Sequence, residues 1–293
     1  FYPSSLIMNV IPAKIAGVKR IVCVSPPSKF INPYFISLLN ELKIDEVYNI
    51  GGAQAIAALA IGTKKIKSVN KIFGPGNSYV AEAKRQLFGK VGIDLIAGPS
   101  EIIVVANQNN NPSWVAADLM AQAEHDANAQ SILITDSLSF SKKVNNEIKN
   151  LIKNTKNKKI IQKSINNNAI TILVNNIEVS HDIINYIAPE HLHLHISSHK
   201  KLLTKINNAG GIFLGEYSAE AFGDYIVGTN HILPTSGSAK YSSGLGVLDF
   251  MKRNSIVEMN YKSYNLLKKD TENMAHIEGL DAHKLSVKIR QKK

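Results

Sequence analysis

Gln122 and His125, in AQAEHD at 121–126, stand three apart on a helix predicted over 113–126, so both point to one face. An amide oxygen and an imidazole nitrogen can bind a borderline cation such as zinc. On an Ala-rich helix the same pair can equally meet only solvent or a neighbour. In APEHL at 188–192, Pro189 ends the preceding helix, and Glu190 and His191 follow at the mouth of the next strand. α/β enzymes place reactive groups there, and an adjacent carboxylate and imidazole can act as general base and acid. The plainer reading is a polar pair at a helix–strand junction. GDYIVGTNHILPT at 223–235 offers Asp224 and His231 in an irregular stretch. Asp224 can complete a metal site or cap a turn beside Gly223. IEGLDAHKLSV at 277–287 adds Glu278 and His283, which on a helix-rich tail read equally as solvated residues.

The alternation His191, His193, His195 puts three imidazoles on one face of a strand. That supports a rival class, a metal-dependent hydrolase with a three-histidine site. An amphipathic strand with Leu192 and Leu194 toward the core would show the same alternation. Two glycine-bearing helix starts, GGAQAIAALA at 51–60 and GPGNSYVAEAK at 74–84, each follow a predicted strand. Free backbone N–H groups there suit an anion. Neither is G-x-G-x-x-G, and Gly51, Gly52, Gly74 and Gly76 can also be plain turn residues.

The elements that must position these groups alternate. Strands are predicted at 20–25, 46–50, 70–73, 101–106, 131–135, 170–174, 192–196 and 211–214. Helices are predicted near 31–43, 52–62, 77–88, 113–126, 138–154, 178–187 and 198–208. Alternation of this kind implies parallel sheets covered by helices. The expected fold is α/β, with two Rossmann-like parallel-sheet domains plus a small C-terminal helical unit. A turn at IAGPSE places one boundary, giving domains 1–98, 99–248 and 249–293. Residues 215–246 are Gly-, Ser- and Thr-rich without period, and an irregular stretch that long is usually functional.

The 293 residues, 44% of them hydrophobic, suffice for two cores, and no apolar run approaches bilayer length. The single cysteine, Cys23, cannot form an internal disulfide and sits in the apolar run IVCV, which suits a core position and a cytoplasmic setting. The net charge of +11 comes from scattered lysines such as Lys142, Lys149, Lys153 and Lys159, with no interleaved aromatics and no nucleic-acid motif. The charge is read as solvated surface, without a nucleic-acid or membrane partner.

Taken in order, NIGGAQAIAALAIGT, KIFGPGNSYVAEAKRQ, DLIAGPSEIIVVA, DLMAQAEHD, APEHL, GDYIVGTNHILPT, SSGLGVLDF and the late AHK resemble the histidinol dehydrogenase family over essentially the whole chain. The resemblance implies oxidation of L-histidinol to L-histidine through histidinal, with reduction of two NAD molecules. It implies zinc ligands at Gln122, His125, Asp224 and His283, and an acid–base pair at Glu190 and His191. His191 would take the alcohol proton, and Glu190 would activate the water that attacks the aldehyde. Substrate contacts are implied at Ser100, Gln122, His125, His191, Asp224, Glu278 and His283, with His231 nearby, and NAD contacts at Gln54 and Asn77. His193 and His195 match no ligand of the family, which weakens the hydrolase reading. A non-catalytic homologue is a further alternative, opposed by retention of every expected ligand type. The family's N-terminal segment carries a tyrosine-bearing turn that touches NAD, and Phe1 corresponds to a point just after it, so the chain is expected to be N-terminally truncated. The family is also a homodimer whose C-terminal unit completes the partner's site, so Glu278 and His283 would act in trans.

Overall fold

The structure is a computed structural model that describes residues 3–28 and 32–291. The chain forms two compact units, residues 1–251 and 252–293.

In the first unit the early strands are short. α1 (Pro3–Ile15), β1 (Val22–Val24), α2 (Pro33–Glu41), β2 (Glu46–Tyr48), α3 (Gly52–Ile61), β3 (Lys71–Ile72), α4 (Ser78–Leu87) and β4 (Gly92–Ile93) follow one another. β1 pairs with β2, and β3 with β4, both parallel. Asn32 and Asn77 cap α2 and α4 by accepting from backbone N–H groups in the first turn, which satisfies donors a helix start leaves free. Residue 31, at the start of the helix expected over 31–43, lies outside the described residues. Ile56, Leu59, Ile66, Ile72 and Val91 form one core here, and Val10, Leu39, Leu42 and Ile44 a smaller one. Cys23, half-buried in β1, packs against the smaller core, and burial pushes its thiol pKa up.

A five-stranded parallel sheet follows. Its chain order is β5 (Glu101–Val105), α5 (Pro112–Ala123), β6 (Gln130–Thr135), α6 (Leu138–Leu151), α7 (Lys158–Asn168), β7 (Ile170–Leu173), α8 (Ser180–Ile187), β8 (His191–Leu194), α9 (His199–Leu203), β9 (Gly211–Leu214) and α10 (Glu220–Tyr225). In space the strands run β7-β6-β5-β8-β9, so the winding reverses between β5 and β8. Successive side chains take opposite faces. Ile102, Val104 and Leu133 pack under α5, α6 and α7 with Val115, Leu119 and Phe140. Ile103, Val105, Leu192 and Leu194 pack on the other face with Ile184 and Leu202. Burying one such side chain is worth about 1.5–3 kcal/mol. Both faces are covered, as a parallel sheet requires. β8 is in register with β5, His191 opposite Ile102 and His193 opposite Val104, so the histidines share the α5 face.

The second unit contains α11 (Tyr261–Ile277) and α12 (Asp281–Lys288). Gly279, at φ 71°, makes the turn between them, and the Tyr264 hydroxyl donates to the Val287 carbonyl at 2.8 Å. No helix among the described residues is long and apolar enough to cross a membrane. α1, α7 and α10 were not expected from the apolar pattern. α1 contains Pro12, α7 is Lys- and Asn-rich, and α10 is too short to show a period.

Candidate active site

Glu190 and His191 are buried where the chain enters β8. The turn leading to them is tight. Ala188, fully buried at φ 55°, ends α8 in the left-handed region just before Pro189, a conformation that costs an alanine about 1 kcal/mol. The Glu101 backbone then holds both groups. Its N–H donates to Glu190 Oε2 at 3.0 Å, and its carbonyl lies 3.2 Å from His191 Nδ1. A carbonyl can only accept, so Nδ1 carries the hydrogen and Nε2 presents a lone pair. Burial pushes His191 down to about 4, so the ring is neutral at pH 7. Burial pushes Glu190 up to about 8.

Glu220, on α10, faces this imidazole. Its Oε1 lies 3.6 Å from His191 Nε2, and its side chain is 3% exposed. The Gln122 amide, with its nitrogen toward Glu220, donates to both carboxylate oxygens at 2.7 and 3.0 Å and accepts from Glu101 N–H at 3.2 Å. His125, Glu220 and Asp224 bring ligand atoms within 4.8 Å of one another. Burial, and next the Asp224 charge, raise the Glu220 pKa well above the usual range; burial also raises Asp224. Two buried carboxylates, Glu190 and Glu220, and the half-buried Asp224, with the exposed His125 imidazole and the Gln122 amide, make a donor set that a divalent cation would neutralise. Gln122 is next to last in α5, and His125 lies past the helix end, kept close because its N–H donates to the Gln122 carbonyl at 3.3 Å. A single helical face is therefore not what unites them. A cleft of roughly 850 Å³ opens beside the site, lined in part by His191, Gly211, Phe213, Asp224, His231 and Leu245. The His231 Nδ1 lies 3.1 Å from the Asp224 carbonyl.

These groups occupy the amino edge of the sheet. Glu101 opens β5, His191 opens β8 and Gln122 ends the helix that returns to that edge. Open parallel sheets usually bind ligands at the carboxyl edge of the strands, at the reversal of winding. The reversal is used here, from the opposite edge. The 235–236 loop closes over it: Thr235 Oγ1 accepts from Gly98 N–H at 2.6 Å and Glu101 Oε1 from Ser236 N–H at 3.2 Å. Ser100 lies between them, its carbonyl accepting from Gln130 N–H.

The two glycine-bearing turns lie at the carboxyl ends of β2 and β3. Gly51 starts α3 without a side-chain cap, and Gly52 has φ 73°. A Cβ on Gly51 would strike Pro26, and one on Gly52 would strike the Gln54 amide. Gly74 has φ 112°, and a Cβ on Gly76 would overlap Val80. Behind this second turn Lys84 and Asp94, 4% and 3% exposed, pair at 2.6 Å. Asp94 also accepts from Gly74 N–H at 2.7 Å, and Lys84 donates to the Gly74 carbonyl at 2.6 Å. The α3 start, with no side-chain cap on its backbone N–H groups and no Cβ at Gly51 or Gly52, fits a dinucleotide's phosphate; at the second turn the Gly74 N–H is already taken by Asp94. Asn77 already serves as the α4 cap, a structural use the motif did not suggest.

The row of histidines divides in two. His191 belongs with Glu101, Glu190 and Glu220. His193 and His195 turn to Asp118 on α5, at 3.0 and 2.7 Å. Glu278 and His283 lie in the second unit, at the end of α11 and in α12. Sequence reasoning missed Glu220, Glu101 and Asp118. Glu220 sits in the aperiodic stretch, and Glu101 acts through its backbone. Asp118 stands one turn before Gln122, the only sequence signal that could have found it.

Fold and site together define an α/β enzyme with a neutral imidazole and a buried carboxylate beside a donor set whose chemistry fits a divalent cation. The sequence profile of histidinol dehydrogenase matches residues 1–291. A histidinol dehydrogenase of Rhodospirillum rubrum is 50% identical over 291 residues, 99% of this chain and 67% of that protein. One from Listeria monocytogenes is 50% identical over 290 residues, 99% of this chain and 68% of that protein. The crystal structure of histidinol dehydrogenase from Elizabethkingia anophelis superposes with a TM-score of 0.94 at 39% identity, covering 99% of this chain and 67% of that one. A propionaldehyde dehydrogenase variant from Clostridium phytofermentans, 11% identical with a TM-score of 0.51, covers 87% of this chain and 73% of its own, and shares the fold alone. The chain belongs to the histidinol dehydrogenase family.

Proposed function

We propose that the chain oxidises L-histidinol to L-histidine through histidinal with two NAD+ and one zinc ion, as a cytoplasmic homodimer. The single observation that carries this is the Glu101 backbone clamp, which holds a neutral His191 imidazole and a buried Glu190 side by side against the Gln122–His125–Glu220–Asp224 cluster. Gln122, His125 and Asp224 would hold the zinc, joined by His283, and Gln54 and Asn77 would contact NAD. Bound zinc supplies positive charge that orients and polarises the substrate, and each NAD+ accepts one hydride.

His191 Nε2 takes the hydroxyl proton as the alcohol carbon gives up its hydride, leaving the aldehyde. Glu190, once ionised, takes a proton from the water that adds to the aldehyde carbon, while protonated His191 returns its proton to the aldehyde oxygen, giving the hydrate. His191, its first proton released, removes one from the hydrate as the second hydride departs, leaving the carboxylic acid. Two bases are needed because the protons leave from different positions. Ser100 and Glu278 contact substrate in this reading, with His231 near it. Glu278 and His283 come from a second copy of the chain. Support for a second copy lies in the C-terminal unit, where Ile256 and Val257 are 92% and 81% exposed in a stretch without helix or strand. The functional units are taken as 1–98, 99–248 and 249–293.

The test is stoichiometry. Zinc-loaded chain is given histidinol and NAD+, and NADH and histidine are measured together. Two NADH per histidine is expected, with loss of turnover in Glu190→Gln and His191→Asn. One NADH per product, or unaltered turnover in both variants, overturns the mechanism.

A further inference from the structure

Four ring nitrogens in the His193–His195 pair must find partners without solvent, because the two side chains are fully buried. His193 Nε2 lies 2.9 Å from the Gly215 carbonyl and so carries a hydrogen. In the neutral ring Nδ1 is then a lone pair, aimed at Asp118 Oδ2 from 3.0 Å. That nitrogen makes no hydrogen bond, and neither does His195 Nδ1. His195 Nε2 lies 2.7 Å from the same oxygen, and the two rings are 4.0 Å apart, centroid to centroid. Two imidazoles therefore converge on one carboxylate oxygen, and one lone pair faces another with nothing positive between. A proton there would be badly aligned. A cation that accepts lone pairs from all three side chains removes the conflict.

We propose that Asp118, His193 and His195 form a second metal site of the zinc type, structural rather than catalytic. The donor set is two imidazoles and a carboxylate, with ligand atoms within 4.8 Å of one another. That chemistry selects borderline divalent cations over magnesium or calcium. The Gly215 carbonyl on the far nitrogen of His193 is the outer partner that fixes a ligating histidine's tautomer and ring plane. The Asp118 side chain, 12% exposed, marks the approachable side, where water or its second oxygen completes four-coordination. The ion would pin α5 to β8 one helical turn before Gln122, and so steady the helix end that carries the other donor set. His191 stays outside the cluster because its two nitrogens face Glu101 and Glu220.

The site is tested by counting metal. The purified chain is stripped with a chelator, dialysed against micromolar free Zn2+ and assayed for zinc per chain, with circular dichroism reporting folding. The wild type is expected to hold two zinc ions. His193→Gln combined with His195→Gln should hold one and keep its dehydrogenase activity, while His125→Asn combined with Asp224→Asn should hold one and lose activity. Adding zinc to stripped wild type should raise Tm by several degrees, a rise reduced in the His193/His195 variant. Should that double variant fail to fold, His195→Gln alone carries the same comparison. Equal zinc in the wild type and the His193/His195 variant overturns the proposal, as does a wild-type zinc content that vanishes entirely with His125 and Asp224. Loss of all zinc with His193 and His195 upholds this site and sinks the zinc ligands proposed for catalysis.

Discussion

Glu190 is the most demanding test of the site's electrostatics. Burial raises its pKa from the ordinary 4.5 to about 8. In the metal-free chain the folded state therefore keeps a proton that the unfolded chain releases across this interval. The folded state is favoured below pH 4.5, and that advantage is lost as pH rises through 8. The ceiling is 1.36 kcal/mol per pH unit over the interval, or about 5 kcal/mol. Most of the loss falls before pH 8, with roughly 2 kcal/mol between pH 6 and pH 8. Glu190→Gln keeps the shape and the acceptor for Glu101 N–H but cannot ionise. His191, pushed down to about 4, contributes in the opposite sense, its stabilisation being lost as pH falls below 6.5; it is present in both proteins and cancels in their difference. The assay is thermal unfolding of EDTA-treated wild type and Glu190→Gln from pH 5 to pH 9. The wild type should lose ground to the variant by about 3–4 °C between pH 6 and pH 8, then level off. Parallel curves would refute the claim that Glu190 is buried as a neutral acid.

His191→Asn should lower kcat by about 10²–10⁴-fold, the worth of a positioned proton acceptor, with KM for NAD+ little changed; steady-state kinetics decide it. Lys84→Met strips the partner from the buried Asp94 carboxylate and should cost about 3–5 kcal/mol in urea unfolding, with much of the loss recovered when Asp94→Leu is added. Gly76→Ala drives a methyl into Val80 and should raise KM for NAD+ while leaving zinc content unchanged, and Val80→Ala in the same chain should restore it. An unchanged KM in the Gly76→Ala protein would remove that turn from the cofactor site.

The sequence made the alternation of strands and helices readable because a sheet covered on both faces needs continuous apolar runs, and IIVV and ILIT supply them. APEHL was readable because proline and a polar pair must interrupt such a pattern. What stayed hidden has physical reasons. β4 is two residues long and α10 six, both too short for a repeat to recur often enough to be seen. Glu220 matters because of what folds onto it. The HLHLH run looked like a strand with one wet face, yet α5 covers that face and buries all three rings. Burial of a polar strand face is a tertiary fact. Asp118, on a different element, is the group that His193 and His195 face together.

A base borne on a strand cannot follow its substrate. His191 is fixed by the main chain at its own position and by the Glu101 carbonyl at its ring, with sheet neighbours on both sides. If the same nitrogen serves two oxidations, the carbon being oxidised must be presented to it twice, first as alcohol and then as hydrate. The motion between the two steps then belongs to the small molecule, swinging about its anchored end. Spacer length between anchor and carbinol thus becomes what the cleft measures, and an analogue one methylene longer would meet the ring out of line.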